Sequence, residues 1–180
     1  MAITPDTKDW TFVLERTCPE CGFDVRAVPR DEIGSLIRAN AARWRPLLEY
    51  PDVPRRPSDD RWSALEYACH VRDVFQLYDD RLLMMLEEDD PHYPNWDQDA
   101  AAIEERYGQQ DPAEVAQAIE DNADRLAAHF DEVEGDDWGR PGTRSDGARF
   151  SIESFARYLI HDPFHHLHDV ERGYAALSGS

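Results

Sequence analysis

Apolar residues recur at spacings of three and four along four long stretches of the chain, the period of an amphipathic helix. The first stretch covers about residues 31–50, with Ile33, Leu36, Ile37, Ala41, Trp44, Leu47 and Leu48 on one face and Pro46 placed late enough to kink or end it. A proline-rich linker, PDVPRRPSDDRW, separates it from the second. There Ser63-x-x-Glu66 is a capping box that starts a helix running to about Leu86, with Leu65, Ala68, Val71, Phe75, Leu82 and Met85 inward. Asp111-Pro112-Ala113-Glu114 gives a second strong start, an acidic cap followed by proline, for a helix from 112 to about Val133. Ser151 caps the fourth, which should end near Gly173 and kink at Pro163, where one backbone hydrogen bond is lost.

Between these stretches, 100–107 predicts a short helix and GDDWGRPGTRSDGARF a long loop with a tight turn at Ser145-Asp146-Gly147. Alternation of period two is too weak anywhere to predict a strand. Residues 1–30 show no sustained periodicity and form an irregular lead-in, so the expected organisation is that lead-in followed by an all-α four-helix bundle over 31–175.

The 19 basic side chains against 38 acidic ones leave a net charge of −19. A field of that sign repels nucleic-acid backbones and anionic membrane surfaces, so neither is an expected partner. The longest apolar runs fall short of the roughly 20 residues that span a bilayer. Residues 1–12 do not read as a leader, and three cysteines (Cys18, Cys21, Cys69) cannot all pair, which points to reduced thiols and a cytoplasmic address.

The chemistry concentrates in His161–Asp169, HDPFHHLHD, which holds four of the seven histidines. On a helix His161 and His165 stand one turn apart on one face, His168 continues that stripe, and His166 points about a quarter-turn away. The second helix carries Glu66, His70, Asp73 and Leu77 on a stripe flanking its apolar face. A bundle can bring His70 to His161 and His165, and three nitrogens leave a position open for water or substrate, as in catalytic rather than closed metal sites. Asp73, Asp162 and Asp169 are candidates to orient the imidazoles, Asp169 being four residues from His165. His168 is an alternative ligand, a proton shuttle or a surface group; Glu66 is read as a cap, and His92 and His129 as surface histidines. Cys18-Pro19-Glu20-Cys21-Gly22 is half of a zinc knuckle awaiting two further ligands, an accessory redox pair, or simply a turn.

Trp62-Ser63…Glu66…His70…Asp73 together with His161-x-x-x-His165 resembles the DinB-like (DinB/YfiT) metalloenzyme family over about Asp31 to Gly173. The resemblance implies an up-down-down-up bundle and a divalent ion, zinc or nickel, on His70, His161 and His165. It also implies a metal-dependent enzyme acting on a small molecule. Transfer to or from a low-molecular-weight thiol of the mycothiol or bacillithiol type is the first expectation, and hydrolysis by water activated on the metal the second. A reading of another class is a non-catalytic bundle, stapled by its ion, that binds a partner or a second copy of itself. The CPECG lead-in has no counterpart in the family pattern.

Overall fold

The computed structural model describes residues 8–179; residues 1–7, part of the stretch read above as lacking a leader, lie outside them. The first predicted helix is two pieces, α1 (Ile33–Ala41) and α2 (Trp44–Leu48). Pro46 has no amide hydrogen to give Ala42, so the ladder stops there and restarts. After the linker come α3 (Ala64–Glu87), strand β1 (His92–Tyr93), α4 (Gln98–Glu104) and α5 (Pro112–Asp131). Strands β2 (Pro141–Arg144) and β3 (Arg149–Ser151) then lead into α6 (Ile152–Ser178).

Two expectations are corrected. The loop after α5 contains an antiparallel hairpin, β2 with β3, and β1 adds to β2 in parallel, making a three-stranded sheet. Strands of two to four residues are too short to show a period, and only the turn at Gly147 (φ 92°) was visible beforehand. The fourth helix also continues unbroken past both Pro163 and Gly173. A proline costs a helix one bond, and this one is buried in the packed face of α6, where tertiary contacts outweigh the loss.

Side-chain pairs fix the topology. Arg45 of α2 bonds Glu120 and Gln117 while Arg38 of α1 pairs with Asp131, so the first helical segment runs antiparallel to α5. Asn122 bonds the Arg72 carbonyl, Arg125 reaches Gln76, and His129 reaches Asp79; these positions rise together, so α3 and α5 are parallel. His70 faces Asp162 and Tyr78 stacks on Phe155, so α3 and α6 are antiparallel. Arg43 pairs with Glu171 and Tyr174 bonds the Leu47 carbonyl, so α6 runs parallel to the first segment. The result is the up-down-down-up bundle. The parallel α3–α5 pair is possible because residues 88–111 supply a long crossover between them.

The bundle interior is one apolar cluster that includes Ile37, Trp44, Leu65, Phe75, Leu82, Ile119, Leu126, Phe155 and Leu159. Gly34 allows α1 to lie against α5, since a Cβ there would stand 3.0 Å from the Ala127 carbonyl oxygen. His129, read above as a surface histidine, is half-buried and bound to the buried Asp79, which also takes Arg125. Among the described residues, no helix is long and apolar enough to cross a membrane.

The capping box of α3 forms as predicted: Ser63 Oγ accepts from the Glu66 amide, and Glu66 accepts from the Ser63 amide at 2.8 Å. Arg56 binds the same carboxylate. Ser63→Ala should cost about 1 kcal/mol in chemical denaturation. Burial alone would raise the Glu66 carboxyl, but Arg56 and the Ser63 hydrogen bonds outweigh it and hold it below its ordinary value. Its stabilisation is therefore complete above pH ~4.5 and is lost as the pH falls through the depressed folded-state pKa. Melting curves of Glu66→Gln and the parent should differ most near neutral pH and converge at pH ~3.

Candidate functional site

Because α3 and α6 are antiparallel, His70 in the second turn of α3 meets the middle of α6. The face of α6 that it meets is the one carrying Asp162 and His166. His70 Nε2 lies 3.3 Å from Asp162 Oδ2, and His166 Nε2 lies 3.5 Å from Asp162 Oδ1. The His70 and His166 rings are 4.9 Å apart. One donor atom from each of the three falls within 4.8 Å of the other two. Two ligands bound tetrahedrally at about 2.0–2.1 Å stand roughly 3.3 Å apart, so the spacing suits a shared ion.

The polarity of these atoms supports the same fit. His70 Nε2 and Asp162 Oδ2 are buried and face each other across 3.3 Å, with no well-formed hydrogen bond to any other group. Such groups cost about 1–3 kcal/mol each when left poorly paired, and a cation bound between His70 Nε2 and Asp162 would satisfy both atoms. His166 is held from behind: its Nδ1 lies 3.1 Å from Asp169 Oδ2, leaving Nε2 to face inward. This carboxylate–histidine arrangement fixes ring orientation at metal centres. Burial works against a charge on His166, but Asp162 and Asp169 overcome it and raise the imidazole to about 10 in the metal-free protein. Asp162 in turn is held well below the carboxylate range, because the His166 and His70 rings offset its burial.

The trio His70, His161 and His165 is thus divided between two groups. Among the described residues, His70 gathers with Asp162 and His166, while His161 and His165 gather with Cys18 and Cys21. The helix carries two interleaved pairs at i, i+4, offset by one residue and so by about 100° around the axis. Sequence reading chose the pair made of two histidines, and the structure turns the mixed pair toward α3. His166, expected to face away, lies beside the His70 ring, and Asp162, expected only to orient an imidazole, has its carboxylate between the two imidazoles.

The remaining candidates are dispersed. Asp73 binds Arg72 at 2.7 Å and the Tyr107 hydroxyl, away from the cluster. Asp169 lies between the two groups, 3.5 Å from His165 Nε2 as well as 3.1 Å from His166. His168 Nε2 is buried without a partner, and its ring is 6.5 Å from that of His165. Cys69 is fully buried in the core.

The His70 cluster opens into a cleft of about 860 Å³ between α3, α6, the lead-in and the α3–α4 crossover. Trp96 stacks on His70 with ring centres 5.3 Å apart, and Tyr67 covers His166. Further along the cleft stands Arg81, 5% exposed, lying over the Tyr93 ring and giving one bond to the Pro94 carbonyl. Trp96, Arg81 and Tyr93 were not singled out in the sequence, because they join the site through tertiary packing and carry no local motif.

The geometry can be set beside known proteins. A sequence profile described as the DinB superfamily matches residues 24–170. The chain belongs to the DinB superfamily. Among solved structures it is similar to YfiT from Bacillus subtilis, described as "a probable metal-dependent hydrolase with an unusual four-helix bundle topology". The two are 16% identical, with a TM-score of 0.75 over 83% of this chain and 87% of that one, so the likeness is one of fold. No curated protein matches the chain. The DinB match begins at residue 24, after both lead-in cysteines.

If Asp169 orients His166 toward an ion, Asp169→Asn should weaken divalent-metal affinity by about 10–100-fold. Competition against a chromophoric chelator checks this; unchanged affinity would remove Asp169 from the site.

Proposed function

We propose that the chain is a metal-dependent enzyme whose reaction centre is His70, Asp162 and His166, acting on a small molecule in the adjoining cleft. The observation that carries this reading is the convergence of buried donor atoms from α3 and α6 on the wall of a cleft. Two imidazoles and a carboxylate are a donor set of catalytic zinc sites, and three protein ligands leave room for a reacting group. A divalent ion held there would supply Lewis acidity and would lower the pKa of a water or thiol bound to it.

The protein's own residues do the rest. Asp162 bridges toward both imidazoles and reduces the charge of the centre, and Asp169 keeps His166 in one tautomer with Nε2 inward. Trp96 and Tyr67 shield the imidazoles with aromatic faces. Arg81, whose side chain lines the cleft, offers a positive charge for a negatively charged substrate group.

Hydrolysis is the first reading, because a nitrogen and oxygen donor set matches that of metal-dependent hydrolases. Transfer of a low-molecular-weight thiol is the second, favoured by a cleft of about 860 Å³, large enough to seat a cofactor-sized thiol beside a substrate. Protein reconstituted with zinc, nickel or manganese would be assayed on ester and amide panels without thiol, and on small electrophiles with added mycothiol or bacillithiol. Turnover without thiol assigns hydrolysis, and turnover that needs it assigns transfer. In either case Asp162→Asn and His166→Ala should lower kcat/KM at least 100-fold with circular dichroism unchanged. Activity that survives both substitutions would refute the assignment of the centre. Arg81→Met should raise KM for anionic substrates more than it lowers kcat.

A further inference from the structure

We infer that Cys18, Cys21, His161 and His165 hold a second metal ion, a structural zinc, which fastens the lead-in to α6 and thereby fixes one wall of the cleft. The site is distinct from the centre proposed above and does not rest on it. Its two cysteines precede the DinB match, so the family pattern does not supply them.

Geometry is the first support. Cys18 Sγ lies 3.8 Å from His165 Nδ1, and Cys21 Sγ lies 3.6 Å from His161 Nε2. All four donor atoms fall within 4.8 Å of one another. For zinc bound tetrahedrally, with sulfur at about 2.3 Å and nitrogen at about 2.0–2.1 Å, the sulfur–nitrogen edge is roughly 3.6 Å. Each nitrogen thus already faces a sulfur across an edge of the expected size.

The local folding is the second support. Gly22 donates its amide to the Cys18 carbonyl at 2.9 Å, and Cys18 donates to the Phe23 carbonyl at 3.0 Å. Gly22 at φ 74° closes this turn, a conformation open to glycine at little cost. The turn brings both sulfurs to the same side, and both cysteines are free thiols. His165 turns Nδ1 toward Cys18 and Nε2 toward Asp169 at 3.5 Å, so the nitrogen away from the proposed ion has a carboxylate to bind.

Enclosure is the third. Cys18 is 0%, His161 4% and His165 5% exposed, and the Trp10 ring packs on both imidazoles at 5.3 and 4.8 Å. Four protein donors complete a tetrahedron and leave no position for substrate, which separates this site in kind from the open His70 cluster. On binding, each cysteine releases its thiol proton to solvent and no electron is transferred. The ion would add to the anchoring that buried Val13, Cys18, Val25 and Val28 and the Phe23–Phe164 stack already give the segment. Lys8, Asp9, Trp10 and Glu20 of the same segment line the cleft.

The test uses the full-length chain purified under reducing conditions. X-ray absorption at the zinc edge of His166→Ala protein should show sulfur at about 2.3 Å, and cobalt substitution should produce a thiolate-to-cobalt charge-transfer band. Cys18→Ser/Cys21→Ser should lose one metal equivalent and that band, whether the parent holds two ions or one. Hydrogen exchange across residues 8–28 should accelerate at least tenfold in the double variant or after chelation, with α3 and α5 unaffected. Coordination without sulfur in the parent would overturn the proposal, and so would a Cys18–Cys21 disulfide in freshly prepared protein or an unchanged metal count. The parent spectra decide even if the double variant fails to fold. Failure of the His70 assignment would appear instead as unchanged activity and metal content in His166→Ala, whatever the charge-transfer band shows, so the two assignments fail separately.

Discussion

The structure depends on how a single turn of α6 presents its donor groups. Four positions within six residues, two pairs at i, i+4, place His161 and His165 on one stripe and Asp162 and His166 on the next. Each pair needs partners that α6 cannot supply. The bundle brings α3 to one stripe, and the lead-in brings its cysteine turn to the other. Asp169, one turn further on, touches a histidine of each pair. Position and orientation are therefore shared: whatever moves this turn of α6 moves both groups at once. Pro163 lies inside it, and its fixed φ reduces the conformations that the turn must give up on folding.

The topology is what allows α3 to serve this turn. An up-down-up-down bundle with short loops would place successive helices antiparallel, with α5 beside α6. Here the long crossover after α3 lets α5 run parallel to α3, and α6 packs in the opposite sense against α3 and in the same sense as the first segment. The crossover also delivers Trp96 onto His70 and Tyr93 under Arg81, so the segment that solves the connection forms a wall of the cleft.

Much of this was legible from the sequence. Capping boxes and apolar periodicity located the long helices, because both signals act within one turn of backbone. The resemblance carried on the Trp62–Asp73 stretch and the histidine pair implied the topology. What stayed hidden was rotation about the α6 axis. His161 and His165 look like the natural partners of His70 because they are alike, but 100° of helix separates that pair from the one facing α3, and sequence spacing alone does not say which stripe a neighbour will meet. The hairpin was missed for a different reason: strands this short are specified by their partners and the Gly147 turn, with almost no signal of their own.

The two donor sets differ in the way two distinct roles require. Two thiolates and two imidazoles enclose an ion and hold it tightly, while two imidazoles and one carboxylate at a cleft leave it reactive. Thiolate ligands at the first site would also neutralise a dication fully, so an ion there would place little net charge beside the second, on the neighbouring stripe of α6. The carboxylate of Asp162 neutralises only half of an ion's charge at the second site and leaves Lewis acidity for a substrate. A chain of net charge −19 favours the accumulation of cations without selecting among them; the selection lies in these donor sets. The proposed closed centre adjoins the proposed open one on the same helix, so the geometry of the His70 cluster depends on packing from α3 on one side and on the lead-in on the other.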